Sequence, residues 1–372
     1  MDFDSSVSFL YLSEPELLRV GVKDFNTCIE VCEEVFRLVS KGDYIMGGAK
    51  HNEHGSVISF PDNPTFEGMP SNGPERRFIA MPAYVGGIFR MCGVKWYGSN
   101  IKNREKGLPR SILTLELNDP DTGAPVSFMS ANLISAMRTG CVPAVGAKYL
   151  CPDQADSCVL IGCGPVNRST LCALLCVEPS ISKVVVNAAH PESAQKCCSW
   201  IEDRFGISAV VEQDFKRAVG MGDIIVIGAS PKEPLYVDEG LVKEGALVLL
   251  NSPIDASPEF WASSDLVFDN PKMHERYMEE AVREIGDVAQ AVNGFGTLYQ
   301  LVESGDLPSI SQIGGLGDYC LGKSYSKSGR QTVLVTSGQA ILDVAYGTVL
   351  YRKAVELGIG TSLSLWDEPE WF

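Results

Sequence analysis

The chain has 372 residues, 45% of them hydrophobic, and a formal charge of -16. That length is comfortable for two domains, and that apolar content supplies packed cores, so disorder is not the default. No Lys/Arg run exceeds two residues, which excludes a nucleic-acid binder needing a cationic footprint for phosphates.

The longest apolar runs, such as "DIIVIGAS" and "GALVLL", fall far short of the roughly 20 residues that cross a bilayer, so no membrane partner is expected. The N-terminus "MDFDSSVSFLYLSEPE" is acidic and lacks the cationic region of a secretory signal. The twelve cysteines then point to free thiols in a reducing, cytoplasmic compartment. Cys28/Cys32 and Cys172/Cys176 are spaced four apart in predicted helices and read as core packing. "HNEH" (His51, Asn52, Glu53, His54) has no third ligand nearby, so no metal site is expected.

In chain order, "DFNTCIEVCEEVFRLVSKGD" places Ile29, Cys32, Val35, Phe36 and Val39 at helical spacing, with Gly42 ending the helix. From Ser56 to Phe128, short apolar pieces broken by Pro, Gly and Asn predict an antiparallel sheet, with "NDPDTG" a turn between two strands. The periodicity turns helical again through "LISAMRTGCVPAVGAKYL". Buried strands then alternate with helices: "SCVLIG", a helix from about Pro165, "KVVVNA", a helix from Glu192 to Phe205, "SAVVEQ", "DIIVIGA", "ALVLLN" and "DLVFDN". Near-continuous Val/Ile/Leu strands separated by helices predict a parallel sheet covered on both faces. The last third carries the helix "MHERYMEEAVREI", a Gly-rich loop "IGGLGDYCLGK", a strand "QTVLVTS" and the helix "ILDVAYGTVLYRKAVEL".

"VLIGCGPVNRST" sits where a dinucleotide loop needs to be, directly after a buried strand and at the start of a helix. Gly162 permits the tight turn and Gly164 lets backbone N–H groups approach a pyrophosphate at the helix N-terminus. Pro165, Val166 and Asn167 complete the loop, and Asn167, in place of a third glycine, is expected to turn its amide toward a phosphate. The second strand ends with Asn187, and His190 follows; neither repels a 2′-phosphate and both can donate to one, which leans toward NADP(H) over NAD(H). Asn251, at the end of "ALVLLN", is a further cofactor-binding candidate.

The chemistry-bearing candidates lie around this region. Lys95 stands within the apolar "GVKWYGSN", and is either an edge residue reaching water or a site residue. Arg138 lies in the apolar "SAMRTG", where a buried guanidinium calls for an anion from a ligand or from the protein. Asp255 follows a strand at its carboxyl end, where parallel sheets bind ligands, although a helix N-cap is its plainer role.

Together, "GVKWYGSN…KGLPRSILTLELNDPDTGAPVSFMSANLISAMRTG", "LIGCGPVN" and "GRQTVLVTSGQAILDVAYGTVLYRKA" resemble the ornithine cyclodeaminase/mu-crystallin family across about residues 20 to 357. Within it the wording is similar to a subgroup of siderophore-precursor dehydrogenases acting on an N-linked amino acid conjugate. The resemblance implies an α/β fold class: a Rossmann doubly wound parallel sheet (133–317) inserted into an α+β catalytic and dimerisation domain made of 1–132 and 318–372. It implies that Lys95 and Arg138 hold a substrate carboxylate, that Thr139 lies by the cofactor phosphates, and that Asp255 binds the substrate amine or moves a proton. Ser230 falls where the family sets a small hydroxyl against the cofactor. The family's arginine ahead of the lysine has Lys50 nearest in order, with Arg76 or Arg77 as substitutes, and "RTG" replaces Arg-Thr-Ala. Pro253 occupies the family's aspartate column, which weighs against strict ornithine cyclodeamination.

The function expected is an NAD(P)-dependent oxidoreductase acting on an amino acid or its imine, as a homodimer. Cations hold the carboxylate while the nicotinamide performs the redox step. The alternatives are a cyclodeaminase without net redox and a non-catalytic NADPH-binding protein or accessory subunit.

Overall fold

The computed structural model describes residues 5–229, 235–291 and 295–370. The chain divides into two compact units, one made of Met1–Asp24, Gly42–Ser135 and Gln339–Phe372, the other of Phe25–Lys41 and Ala136–Gly338.

In the first unit an eight-stranded sheet runs in the order Thr361–Trp366, Val7–Leu12, Pro125–Ser130, Ser111–Asn118, Met91–Ser99, Arg77–Val85, Tyr44–Met46, with Ser56–Ser59 also pairing Arg77–Val85. The central strands are antiparallel and alternate cleanly: odd-numbered residues such as Ile79, Met81, Leu113 and Leu115 are buried, while even-numbered ones such as Phe78, Trp96, Ile112 and Phe128 are exposed. The helix Ala340–Leu357 packs on the buried face against Arg77–Val85, Met91–Ser99 and Ser111–Asn118, and ends at Gly358 in the left-handed region (φ 63°). Its close seat depends on Gly347, where an added Cβ would lie 2.3 Å from Leu115 Cδ2.

The second unit holds a seven-stranded, wholly parallel sheet in the order Ser208–Val211, Lys183–Asn187, Ser157–Ile161, Ile224–Ile227, Leu247–Leu250, Gln331–Val335, Ser264–Phe268. Four adjacent strands, Ser157–Ile161, Ile224–Ile227, Leu247–Leu250 and Gln331–Val335, are buried along their whole length, as sheets with crossover helices require. Strand order reverses direction at Ser157–Ile161, the first strand of this sheet, so the switch point lies beside it.

The partition differs from the expected boundaries in two places. The parallel sheet extends past residue 317, because Gln331–Val335 pairs with both Leu247–Leu250 and Ser264–Phe268. The helix Phe25–Lys41 joins the second unit, where Gly317 meets the Phe36 carbonyl so closely that a Cβ would sit 2.1 Å from it. The stretch read as a loop around "GGLGDYC" contains the short helix Leu316–Cys320. All twelve cysteines are free thiols, and no described helix is long and apolar enough to cross a membrane.

Candidate active site

The glycine loop caps the carboxyl end of the first parallel strand. Gly162 adopts φ 92°, and an added Cβ would lie 3.0 Å from the Gly228 carbonyl, so both conformation and space require glycine there. Its N–H donates to the Asn187 carbonyl at 2.8 Å, fixing the turn to the neighbouring strand. Gly164 is the N-cap of the helix Pro165–Val177, and the direction of its missing Cβ is open, with nothing within 4 Å. Pro165 occupies the first helical position, and no acidic residue lies in the first turn. The result is a helix N-terminus with an open approach, the feature an anionic phosphate needs.

Asn167 does not turn toward that approach. It is fully buried, and Nδ2 donates to the Ile161 and Gly162 carbonyls at 2.9 Å each. Its room comes from the facing strand end, where a Cβ on Gly228 would lie 2.0 Å from Asn167 Oδ1. The expected contact with phosphate is thus corrected: the amide braces the loop from behind. Asn251 braces it in turn, donating to Thr170 Oγ1 at 2.9 Å and Asn167 Oδ1 at 3.4 Å, while its own Oδ1 is buried with no hydrogen bond. Arg168 donates to the Cys163 carbonyl and lies over the Trp200 ring, pinning the middle of the loop.

Asn187 also departs from expectation. Both amide hydrogens are taken by the Glu212 and Gln213 carbonyls (2.8 and 3.0 Å), so what it offers a ligand is the acceptor Oδ1. His190 is the exposed N-cap of Pro191–Phe205, makes no side-chain cap bond, and is followed by Glu192 in the first turn. The donor-based argument for a 2′-phosphate therefore loses Asn187.

In the first unit, Lys95 is an interior residue and not an edge one. It is 2% exposed, and its Nζ donates to Asp343 Oδ2 at 2.6 Å, with Asp343 wholly buried in the first turn of Ala340–Leu357. Arg77 lies on the same face of the sheet. Lys95 pairs with Met81, so Arg77 stands four residues, about 13 Å, along the strand at its exposed end. Lys50 is exposed in the loop before His51 (φ 61°).

In the second unit Arg138 is buried, Thr139 beside it is half-buried, and the Arg138 carbonyl accepts from Cys32 Sγ. The glycine of "RTG" has a local cause: a Cβ on Gly140 would lie 2.6 Å from Ser169 Cβ and 2.7 Å from the Thr170 nitrogen. Asp255 is not a helix cap, a role taken by Ser257. It lies in the short strand Ile254–Ala256 and accepts from Thr297 Oγ1 at 2.6 Å. Ser230 lies outside the described residues.

The sequence pattern of the ornithine cyclodeaminase/mu-crystallin family matches residues 21–358. The chain belongs to that family. It is 25% identical over 362 residues to N-((2S)-2-amino-2-carboxyethyl)-L-glutamate dehydrogenase of Staphylococcus aureus, covering 96% of this chain and 98% of the relative. It is 30% identical over 292 residues to alanine dehydrogenase of Archaeoglobus fulgidus, covering 76% and 82%. Among solved structures, an archaeal alanine dehydrogenase dimer with bound NAD superposes with a TM-score of 0.75 at 25% identity, over 97% of this chain and 100% of that one.

Three features of this family member were not singled out in the sequence. Asp343 had a signal, as a lone carboxylate in the apolar "AILDVAYGTVL" whose burial demands a cation. Thr297, which holds Asp255, had none. The third is a buried chain in which His274 contacts Tyr299 Oη (2.8 Å) and Asp269 Oδ1 (3.0 Å), while Ser337 donates its N–H to Asp269 at 2.7 Å. Burial raises the Tyr299 phenol well above its ordinary range, so it stays protonated.

Proposed function

We propose that the chain is a nicotinamide-dependent oxidoreductase acting at the carbon–nitrogen bond of an amino acid or its imine, with NAD(H) as its cofactor. The observation that carries this reading is the cradle at Gly162–Asn167. A glycine turn is braced from behind by Asn167 and Asn251, and among the described residues nothing lies within 4 Å of where a Cβ on Gly164 would stand. The N–H groups of Val166 and Asn167 and the Thr139 hydroxyl are its donors toward a pyrophosphate, and the buried Asn251 Oδ1 is an acceptor awaiting a donor. The choice of NAD(H) follows from Asn187, which presents an acceptor suited to a ribose hydroxyl, with Glu192 close behind it in sequence. When bound, a nicotinamide would supply hydride exchange at the substrate's α-carbon.

The chain's own residues supply the rest. Lys95 in the first unit and Arg138 in the second are each cations suited to a substrate carboxylate, and orientation of that group supplies much of the rate. Asp255, oriented by Thr297, takes and returns the proton on the substrate nitrogen as the imine forms or is reduced. Residues 75–110 carry eight cations against Glu75 and Glu105 in a chain of charge -16. Arg77, on the face that holds Lys95, suits a second carboxylate. This favours substrates with more than one acid group, as in the Staphylococcus aureus relative's printed name.

The exposed sheet face bearing Phe78, Trp96, Ile112 and Phe128 supports a homodimer, the state printed for the archaeal alanine dehydrogenase structure. Free thiols throughout suit a reducing, cytoplasmic setting.

The test is absorbance at the reduced-nicotinamide band with a panel of amino acids, N-linked amino acid conjugates and cyclic imines. A net change in NADH with one of them supports the reading, and Lys95→Met should abolish that change while leaving NADH affinity within a few-fold. Ammonia release from ornithine without net change in NADH would replace it by cyclodeamination. Tight NADH binding with no turnover across the panel would leave a binding protein.

A further inference from the structure

We propose that Asp343 is the positioning residue of the Lys95 ammonium, the group that sets where a substrate carboxylate docks; this rests on the role given to Lys95 above. Lys95 stands in the middle of a central strand, on the buried face of the sheet, and its flexible four-carbon stem has no preferred aim of its own. The covering helix supplies the aim. Asp343 lies in its first turn, where the helix N-terminus favours a carboxylate, and accepts from Nζ at 2.6 Å.

Two glycines bring helix and sheet close enough for that contact. Gly93, two residues before Lys95 and on the same face, leaves room for Val344, whose Cγ2 would lie 3.1 Å from a Cβ there. Gly347, one helical turn after Asp343, does the same for Leu115, the strand partner of Lys95; a Cβ would lie 2.3 Å from Leu115 Cδ2. The carboxylate, the next side chain in the helix and the two missing side chains converge on one strand position. The pairing with Asp343 fixes where the ammonium sits on the strand.

The experiment compares D343N, D343E, G347A and K95M by steady-state kinetics on the amino acid turned over, with NADH affinity measured separately by its fluorescence. D343N is expected to raise KM for the amino acid at least tenfold while the NADH dissociation constant stays within twofold, and D343E is expected to recover part of the loss. A merely structural role would move both constants together or neither. A folded D343N with wild-type KM overturns the proposal. Should D343N not fold, G347A decides: it keeps the charge but shifts the helix, and an unchanged KM there overturns the proposal as well. If K95M itself turns over normally, the reading of Lys95 fails; if K95M is inactive while D343N keeps its KM, only the role of Asp343 falls.

Discussion

Gly228→Ala probes the brace behind the nucleotide loop. The new Cβ would lie 2.0 Å from Asn167 Oδ1, 2.7 Å from Cγ and 3.0 Å from Nδ2, so Asn167 must move by more than 1 Å. It cannot do so freely, because Nδ2 is held by two carbonyls at 2.9 Å and Oδ1 faces Asn251. Overpacking costs about 1–3 kcal/mol, and each amide bond lost adds about 1 kcal/mol. The expected destabilisation is therefore about 3 kcal/mol on those two scales. Asn167→Gly alone loses the same bonds and places glycine in a helix, for roughly 2–3 kcal/mol in all. In the double variant the clash has no partner, so its cost should match that of Asn167→Gly alone, a coupling of about 3 kcal/mol between the sites. Urea unfolding gives the energies, and NADH titration should show the double variant binding more tightly than Gly228→Ala. Additive single costs would refute the steric account.

Gly140→Ala separates local from tertiary effects. Helix propensity alone would stabilise it by about 1 kcal/mol, but the backbone of Ser169 and Thr170 lies 2.7 Å from the new methyl, so thermal unfolding should show a net loss. Arg77→Ala should raise KM for a substrate with a distal carboxylate and leave a monocarboxylic amino acid unaffected, as a two-substrate comparison would reveal. Burial acts to raise the Asp265 carboxyl, but bonds from Ser328, Gly329 and Tyr325 outweigh it and hold the group below its ordinary value. Its folded value being the lower one, its stabilisation is present above about pH 4 and is lost as pH falls further. Asp265→Asn should thus be less stable than wild type at neutral pH, with urea midpoints that converge as the solution is acidified below the ordinary carboxylate range.

Much of the architecture was legible because it is written locally. Val/Ile/Leu runs between helical periods announce a buried parallel sheet, and a glycine turn after the first of them marks the nucleotide loop. Lys95 was visible as a cation in an apolar strand, but its choice between edge and interior was not, since a strand's period of two does not say which face is covered. Asn167 and Asn187 were read by residue type as donors toward phosphate. The structure spends those same donors on carbonyls of its own backbone.

The sequence by itself determined the parallel order of elements, the placing of the glycine loop at a helix N-terminus, and the concentration of cations in residues 75–110. Each depends on spacings of a few residues, where backbone geometry leaves few choices. Only the tertiary structure decided that Asp343, 248 residues away in the chain, is the partner of Lys95. It also decided that Gly228 makes room for Asn167, and that Gln331–Val335 completes the parallel sheet. Partners so distant are chosen by which surfaces pack, and packing depends on the volumes of all the side chains between them.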